Sequence, residues 1–392
     1  MNLLNDNKPL ISRACLLFVT LVLIIAGCSS SKTDETNSKI EPVAAIYYST
    51  DLPNEKIGDG LSYLFLIDQQ GKHMTIKKRG LELNSIIPYK GALLLNQKNE
   101  LLSIKQDSDL IKSTSFEEDC KVYAGYGQSS GQLNNLNTFY SIYNQSFSSD
   151  RKHYISKIRW GDQTNNYCKD INEYIEVSGD DGSSIYFISS ETEDGNKKSF
   201  HKLSLENDKL IMTKTFLEQV KTDGRFMFTK LIPYSNDMVG IYADLVGAKV
   251  ELNLIQIDKD NKTPLKKHPL VQYDRSNSHY YFFNKESIYV KDGQVYFVDG
   301  YGDVYAFNLT TKKLMKKFHL NEYTRQSRLQ DEMVYFHKDY LYFFRYNDKT
   351  SSHHIEKYNL QGTVESTIIL PDLKKKLGNN SVNLYDFKIL QP

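Results

Sequence analysis

Short runs of apolar and aromatic residues recur along the chain, and this repeat constrains the fold more than any other feature. Turn-forming residues separate the runs, which is the pattern of successive β-hairpins. In each repeat the third run ends in an apolar residue followed by a polar one. These pairs are Ile67-Asp68, Ile104-Lys105, Ile158-Arg159, Leu203-Ser204, Ile257-Asp258, Phe307-Asn308 and Tyr358-Asn359. Their separations of about 37 to 54 residues are near the spacing of four-stranded propeller blades.

A four-stranded blade cannot bury both of its faces alone, so several blades must close into a ring. The seven pairs therefore predict an all-β chain that folds as a β-propeller with seven blades. Six or eight blades also fit the pattern, because the repeat is irregular over residues 113–180. The first run, residues 44–48, and the last, residues 382–389, each stand alone. We predict that these two runs share one blade and close the ring.

Composition agrees with this fold and excludes one class of partner. The chain is rich in Tyr and Phe, which favour strands, and in Asn and Asp, which favour the turns between them. Its formal net charge of +1 at pH 7 provides no electrostatic footprint for nucleic acid. We therefore predict no nucleic-acid partner.

One repeat, residues 302–318, resembles that of the quinoprotein-like (PQQ-like) β-propellers. In that family a Gly begins the strand, Tyr-Ala-Leu-Asp completes it, Thr-Gly-Lys makes the turn, and a Trp follows. The matching residues here are Gly302, Tyr305, Ala306, Phe307, Asn308, Thr311 and Lys313. Lys312 stands where the turn glycine belongs and Lys316 where the tryptophan belongs. The resemblance implies the fold; because the indole is missing, we predict no quinone or other cofactor.

The N-terminal residues resemble the signal sequence of bacterial lipoproteins. Lys8 and Arg13 precede an apolar run that is shorter than the roughly twenty residues needed to span a bilayer. The run ends in Ile25-Ala26-Gly27-Cys28, which is similar to a lipobox. The resemblance implies that the Cys28 thiol receives a diacylglyceryl group and that a peptidase cuts before Cys28. An ordinary signal peptide with a chance cysteine is the alternative.

We therefore predict three segments: a lipoprotein signal peptide over residues 1–27, a lipidated flexible tether over 28–42 and a single propeller domain over 43–392. The tether is polar and lacks aromatic residues over 29–39, so it cannot bury enough surface to fold. The domain is expected at the cell membrane, on the extracytoplasmic side, held through the lipid on Cys28. Whether the host has one membrane or two is left open.

Two cysteines, Cys120 and Cys168, remain in the mature chain, in a compartment where disulfides form. A bridge between them would close a loop of about fifty residues and stabilise the fold by roughly 4 kcal/mol on the chain-entropy model. The alternative is that both are small, buried and reduced. Their spacing does not choose between these two states.

The sequence lacks the usual catalytic and metal-binding motifs, including a Gly-x-Ser-x-Gly elbow and a His-Glu-x-x-His pair. We place His353-His354 in a solvated turn rather than a metal site. Residues 180–182 and 258–261 are rich in Asp, but they lack the glutamate that closes a calcium loop and are predicted to be hairpin turns. No catalytic, cofactor or metal ligand is predicted.

Aromatic clusters at residues 47–48, 280–283 and 340–344 are predicted to fill the cores between blades. The alternative is that they present flat rings to a glycan or peptide ligand.

These observations predict a binding or scaffold module for an envelope protein or glycan, because loops on a rigid scaffold are where binding normally resides. A propeller-type carbohydrate-active enzyme, such as a glycosidase or lyase, and a ligand sensor are the alternatives. Carboxylates or histidines that converge on the central channel would indicate an enzyme. Fold alone does not decide among these classes.

Overall fold

The computed structural model describes ten stretches of the chain. These are residues 40–51, 60–105, 111–122, 126–192, 197–206, 209–217, 229–274, 282–324, 331–378 and 380–390. The predicted signal peptide, most of the predicted tether and Cys28 lie outside the described residues, as do Tyr280 and Tyr281. Within the stretches just given, no helix has the length and apolar character to span a membrane.

The described residues form seven four-stranded antiparallel sheets, which confirms the prediction of an all-β propeller with seven blades. Blade 1 contains β1 (Ala44–Ser49), β2 (Ser62–Ile67) and β3 (His73–Lys78), and its remaining strand comes from the end of the chain. Blade 2 contains β4 (Ile86–Tyr89), β5 (Ala92–Asn96), β6 (Glu100–Lys105) and β7 (Ile111–Ser115). Blade 3 contains β8 (Tyr126–Leu133), β9 (Thr138–Phe147), β10 (Tyr154–Gly161) and β11 (Asn166–Ile171).

The second half of the ring repeats the same unit. Blade 4 contains β12 (Tyr174–Asp180), β13 (Ser184–Ser190), β14 (Lys198–Glu206) and β15 (Lys209–Leu217). Blade 5 contains β16 (Ile232–Tyr234), β17 (Asp237–Val246), β18 (Lys249–Asp258) and β19 (Lys266–Asp274). Blade 6 contains β20 (Ile288–Lys291), β21 (Gln294–Val298), β22 (Asp303–Asn308) and β23 (Leu314–His319). Blade 7 contains β24 (Glu332–His337), β25 (Tyr340–Asn347), β26 (Ser352–Asn359) and β27 (Val364–Leu370).

A short helix, α1 (Leu373–Leu377), leads from blade 7 to the last strand, β28 (Asn383–Ile389). This strand pairs antiparallel with β1, placing Ala44 opposite Ile389 and Ile46 opposite Phe387. The prediction that the first and last runs share a blade is therefore confirmed. The seven apolar–polar pairs also lie on, or directly at the end of, the third strand of each blade, which explains why they mark the repeat.

The first strand of each blade lies nearest the axis, because neighbouring first strands contact one another, as β8 does β12 and β24 does β28. Backbone hydrogen bonds join three of these segments: the Leu231 N–H donates to the Ser178 oxygen at 3.1 Å and the Lys230 N–H to the Lys285 oxygen at 2.9 Å. The fourth strands are largely exposed, as in β23 and β27. Residues just before or within the first strands therefore face the centre of the ring.

Aromatic side chains fill the cores between blades, as predicted. Tyr47 and Tyr48 of β1 and Phe343 and Phe344 of β25 are fully buried. Such rings bury large apolar areas, and an apolar face packed between two sheets is what holds neighbouring blades together.

The prediction of a solvated turn at His353-His354 is wrong, because both residues belong to β26 and are buried. His353 Nε2 lies 2.6 Å from Asp331 Oδ2, and its ring stacks on Phe344 at 5.2 Å between centroids. His354 Nε2 instead contacts the Thr350 hydroxyl at 2.9 Å. Local hydrogen bonds and stacking, which a linear pattern does not show, account for the burial.

Candidate functional site

Charged side chains from blades 1, 5 and 6 meet at the centre of the ring. Lys230 precedes β16, Lys285 and Glu286 precede β20, and Asp386 and Lys388 lie in β28. We call these five residues the axial cluster. They come together because the first strands surround the axis, although the chain separates Lys230 from Lys388 by most of three blades.

Lys388 bridges the two carboxylates of the axial cluster. Its Nζ lies 3.1 Å from Glu286 Oε1 and 3.1 Å from Asp386 Oδ1. The other oxygen of Asp386 accepts a hydrogen bond of 2.6 Å from the backbone N–H of Ile86, at the start of β4. Lys230 approaches the same glutamate less closely, with 3.9 Å between its Nζ and Glu286 Oε2. Lys388 is thus paired with two close carboxylates, whereas Lys230 is paired with one at longer range, which still raises the pKa of Lys230.

Lys285 is held by neutral groups. Its Nζ donates to the side-chain oxygen of Gln128 at 2.8 Å and to the backbone oxygen of Gln128 at 3.2 Å, across to β8 in blade 3. Amide oxygens satisfy the ammonium hydrogens but bring no negative charge to balance it.

The axial cluster lines a partly open space at the centre of the ring. The side chains of Lys388 and Asp386 are only 9% and 5% exposed and form part of the wall. Those of Lys230 and Glu286 retain 30% and 27% exposure although they lie on the axis of the ring. A side chain in that position can contact solvent only through the channel, so Lys230 and Glu286 face an open space.

Burial and neighbouring charges set the ionisation of the axial cluster. Burial disfavours the ammonium form of Lys285 and lowers its pKa to about 8, even though the carboxylates of Glu176 and Glu286 favour the charge. Burial alone would raise the pKa of Glu286, but the ammonium groups of Lys230 and Lys388 hold that pKa at about 2. Burial raises the pKa of Asp386. Glu286 is therefore ionised at neutral pH.

Two further groups border the cluster. Lys388 Nζ lies 4.8 Å above the ring centroid of Tyr335 from β24, a cation–π arrangement. Asp180, at the end of β12, accepts a 3.0 Å hydrogen bond from the Tyr140 hydroxyl, and burial raises its pKa. The Asp-rich segment that begins at Asp180 forms a hairpin turn, as expected, in which the Gly182 N–H donates to Asp180 Oδ1 at 3.1 Å.

The second Asp-rich segment is also a local turn. Asp258 Oδ1 accepts from the Asp260 N–H at 2.9 Å, and Asp258 Oδ2 accepts from the Thr263 hydroxyl at 3.1 Å. Within the part of the chain that the structure describes, no group of three or more His, Cys, Asp or Glu side chains is arranged to hold a metal ion.

A set of residues in blade 4 resembles a catalytic triad by residue type but not by geometry. The Ser189 hydroxyl and Glu173 Oε2 both contact the same atom, His201 Nε2, at 2.8 and 2.9 Å. A triad needs the hydroxyl and the carboxylate on opposite ring nitrogens, so that one orients the ring while the other is deprotonated. Ser189 and His201 are also fully buried. This set is therefore structural.

The two downstream cysteines lie together between blades 2 and 3. Cys120 ends a 3₁₀ turn (Glu118–Cys120) and is joined to Cys168 of β11, with 1.95 Å between the sulfurs and 5.4 Å between the Cα atoms. The two cysteines are distant in sequence from the axial cluster, and Cys168 lies in β11, the outermost strand of blade 3.

The axial cluster was not among the residues predicted from the sequence. The strongest local signal is in the last strand, where Tyr385-Asp386-Phe387-Lys388-Ile389 alternates apolar and charged residues in a run predicted to close the ring. Alternation usually indicates one solvated face. In the first strand of a blade, the solvated face is the one that points towards the channel.

A family model described as "YycP, beta-propeller domain" matches residues 40–390. The uncharacterized protein YycP of Bacillus subtilis (strain 168) is 26% identical over 357 residues, which cover 88% of this chain and 87% of that protein. The X-ray structure of a hypothetical selenium-binding protein from Sulfolobus tokodaii is similar with a TM-score of 0.54 at 10% identity, over 89% of this chain and 93% of that one. Apo AztD from Citrobacter koseri has a TM-score of 0.47 at 10% identity, over 84% of both chains. At these identities the structural similarity concerns the fold alone.

Proposed function

The chain belongs to the YycP beta-propeller domain family, and on that premise we propose that it is a binding module whose axial channel receives an acidic group of its ligand. The proposal retains the sequence-based expectation of a domain that is anchored to the membrane through Cys28 and faces the extracytoplasmic side. Its partner is an envelope protein or glycan that carries a carboxylate, phosphate or similar anion.

The observation that carries this proposal is the arrangement of close partners around Lys230 and Lys285. Among the described residues Lys285 Nζ donates to the two oxygens of Gln128, and Lys230 Nζ is paired with the Glu286 carboxylate at 3.9 Å. The five residues of the axial cluster hold three ammonium groups against two carboxylates; Asp180 and Glu176 also favour the charges on Lys230 and Lys285, but neither forms an ion pair with them, so these two ammonium groups lack a close negative charge. An acidic group in the channel would supply that charge through hydrogen bonds to ammonium donors, which are among the strongest in proteins.

The same geometry favours binding over acid–base catalysis. Two carboxylates do converge on the channel, but both are held by Lys388. With a pKa of about 2, Glu286 is not protonated at neutral pH and cannot serve as a general acid. A glycosidase needs one carboxyl group with a raised pKa poised over its substrate. Burial does raise the pKa of Asp386, but both of its oxygens are already engaged, one by Lys388 Nζ and the other by the Ile86 N–H.

The test is a cross-linking pull-down with variants of the axial cluster. Every described strand lies within residues 44–389, so a soluble chain from Ser29 retains all seven blades. We expect the unchanged bait to retain a protein or glycan from intact envelope, and the double variant Lys230→Met with Lys285→Met to lose at least about nine-tenths of that capture. The control, Lys338→Met, changes an exposed lysine in the turn between β24 and β25 and should behave as the unchanged bait.

Equal capture by the double variant and the unchanged bait would contradict the proposal. Disappearance of a glycan during incubation, abolished by the double variant, would instead place the enzyme alternative first. The anchor is tested separately: Cys28→Ser in the full chain should release the protein from the membrane fraction.

A further inference from the structure

A groove opens on the face of the ring where the turns between first and second strands and between third and fourth strands emerge. Its volume is about 420 Å³, and turns of blades 2 and 3 together with β14 of blade 4 line it. We call it the Trp160 groove, after the only tryptophan of the chain. Its volume lies within the range of small-ligand pockets, roughly 300–1,000 Å³.

Two stacked rings form one wall of the Trp160 groove. Trp160 of β10 and Tyr167 of β11 are cross-strand partners, and their ring centroids are 5.9 Å apart with 24° between the planes. Trp160 is only 6% exposed, whereas Tyr167 is 38% exposed. The buried indole thus supports the phenol ring from behind, and Tyr167 presents a rigid apolar surface to solvent.

The rim of the groove is neutral and rich in hydrogen-bonding groups. Asn137, Thr138 and Asn165 supply amide and hydroxyl groups, and the rim's two charges, Lys90 and Asp162, are of opposite sign. Asp162 is engaged within its own turn, where Oδ1 accepts from the N–H groups of Thr164 and Asn165, each at 2.7 Å. The groove therefore offers no net charge to an ion.

The indole nitrogen of Trp160 has no structural role that explains a tryptophan at this position. Trp160 Nε1 is buried and lacks an acceptor among the described residues. An unsatisfied buried donor is unfavourable, and a phenylalanine would support Tyr167 without that cost. The wider indole instead gives Tyr167 a broad, flat support, which indicates that the position of the exposed ring matters.

We propose that the Trp160 groove binds a neutral sugar ring of a glycan, stacked on Tyr167. A pyranose has an apolar C–H face, which buries area against an aromatic ring, and a rim of hydroxyl groups, which match the amides and hydroxyls of the groove. An acidic ligand would meet one cation, Lys90, together with the like charge of Asp162, and a purely apolar ligand would bury the polar groups of the rim without hydrogen-bond partners. This site is independent of the axial channel and does not rest on the function proposed for it.

Tryptophan fluorescence tests the proposal directly, because Trp160 is the only indole in the chain and reports on this groove alone. The probes are four neutral tetrasaccharides: cellotetraose, maltotetraose, mannotetraose and chitotetraose. With the soluble chain from Ser29 we expect a saturable change in emission with at least one of them, at micromolar to millimolar concentration. Calorimetric titration of the same pair measures the affinity without relying on the fluorophore.

Two variants and one control identify the surface. Tyr167→Ala should weaken calorimetric binding at least about tenfold, and Tyr167→Phe should keep it within about threefold, because the ring and not its hydroxyl makes the contact. Phe147→Ala removes a 54% exposed aromatic from the opposite end of the same blade and should leave binding unchanged.

Either of two results would overturn the proposal. One is the absence of saturable binding by all four tetrasaccharides up to the solubility of the probes. The other is binding that belongs to a different site. This would be shown if Tyr167→Ala left the affinity unchanged, or if Lys230→Met and Lys285→Met abolished binding. Because Lys230→Met and Lys285→Met change the axial cluster and not the groove, these two variants distinguish a failure of this proposal from a failure of the proposal for the axial channel.

Discussion

Arg159 Nε donates to the backbone oxygen of Cys120 at 2.7 Å, from a guanidinium that is fully buried. Its remaining nitrogens donate to the backbone oxygens of Gln97 at 2.7 Å and Lys98 at 2.6 Å. Arg159 also lies opposite Cys168 on the neighbouring strand. One planar cation thus joins blade 2, blade 3 and the segment that carries Cys120, and it also lies over the Phe116 ring, 3.9 Å from its centroid.

Replacing Arg159 should be among the most damaging single changes in the protein. Arg159→Met leaves three buried carbonyl groups without donors, each costing about 1–3 kcal/mol, so we expect the free energy of unfolding to fall by about 3 kcal/mol or more. Arg159→Lys should also destabilise, because an ammonium lacks the planar fork. Urea denaturation measures both, with Lys169→Met, an exposed change on β11, as the control. A loss below about 1 kcal/mol for Arg159→Met would refute this account of the blade 2–blade 3 junction.

The Cys120–Cys168 bond should be present in protein taken from an oxidising compartment. The intact mass without reductant should be lower than the reduced mass by two hydrogens. Cys120→Ser with Cys168→Ser should lower the free energy of unfolding by about 4 kcal/mol, because the closed loop spans 48 residues. Reductant should reproduce this loss in the unchanged protein and have no effect on the double variant. An unchanged mass on reduction would show that the thiols are free.

The strands that could be predicted from the sequence are the ones buried on both faces. In β13 and β18 nearly every residue is buried, so each is a continuous apolar run between turns. Their regular recurrence was enough to predict the blade count and the shared first blade.

Several inner strands could not be predicted from the sequence, namely β4, β8 and β16, although the inner strand β28 was predicted. In β4 and β16 the short segments contain Pro88 and Pro233, and β8 is rich in Gly and Ser. Such residues normally argue against a strand. At the axis they are tolerated because the strands are short and closely approached by their neighbours. Gln128 lies on one of these strands and Lys230 just before another, so part of the candidate site lies with strands that the sequence did not predict.

We expect Lys285 to lower the free energy of unfolding near neutral pH, compared with the variant Lys285→Met. The pKa of Lys285 is about 8 in the folded protein and about 10.4 in an unfolded chain. Between these two pH values the unfolded state therefore binds more protons than the folded state. Because of this, the contribution of Lys285 to the free energy of unfolding becomes less unfavourable as the pH rises. Below pH 8 the full penalty, about 3 kcal/mol, applies.

Lys285→Met should therefore raise the free energy of unfolding at pH 7, and this gain should shrink as the pH increases from 8 to 10. Chemical denaturation at several pH values measures the difference between variant and unchanged protein, with Lys338→Met as the matched exposed lysine. A difference that does not vary over this range would mean that Lys285 titrates normally. A gain in stability combined with lost ligand capture would separate the binding role of Lys285 from folding.

Gly179 permits blades 4 and 5 to meet at the axis. A Cβ at this position would lie 1.8 Å from the backbone oxygen of Leu231, which is next to Lys230. Gly179→Ala should therefore separate the two inner strands and cost about 3 kcal/mol, the upper range for overpacking. Gly91→Ala is the control: its Cβ would have no neighbour within 4 Å, and only its positive φ of 72° would carry a cost. Equal effects of the two changes on thermal unfolding would argue against a close junction here.

The pairing of β28 with β1 also ties folding to the order of synthesis. Blade 1 contains β1 from Ala44 but has no inner strand until residues 383–389 have been synthesised. Until then the hydrogen-bonding edge of β1 stays open and the ring has a gap, while the intervening blades can form from local hairpins. Synthesis that stops before residue 383 would therefore leave six complete blades and an incomplete blade 1, with the edge of β1 open to pair with the wrong strand. Closure of the ring therefore depends on β28.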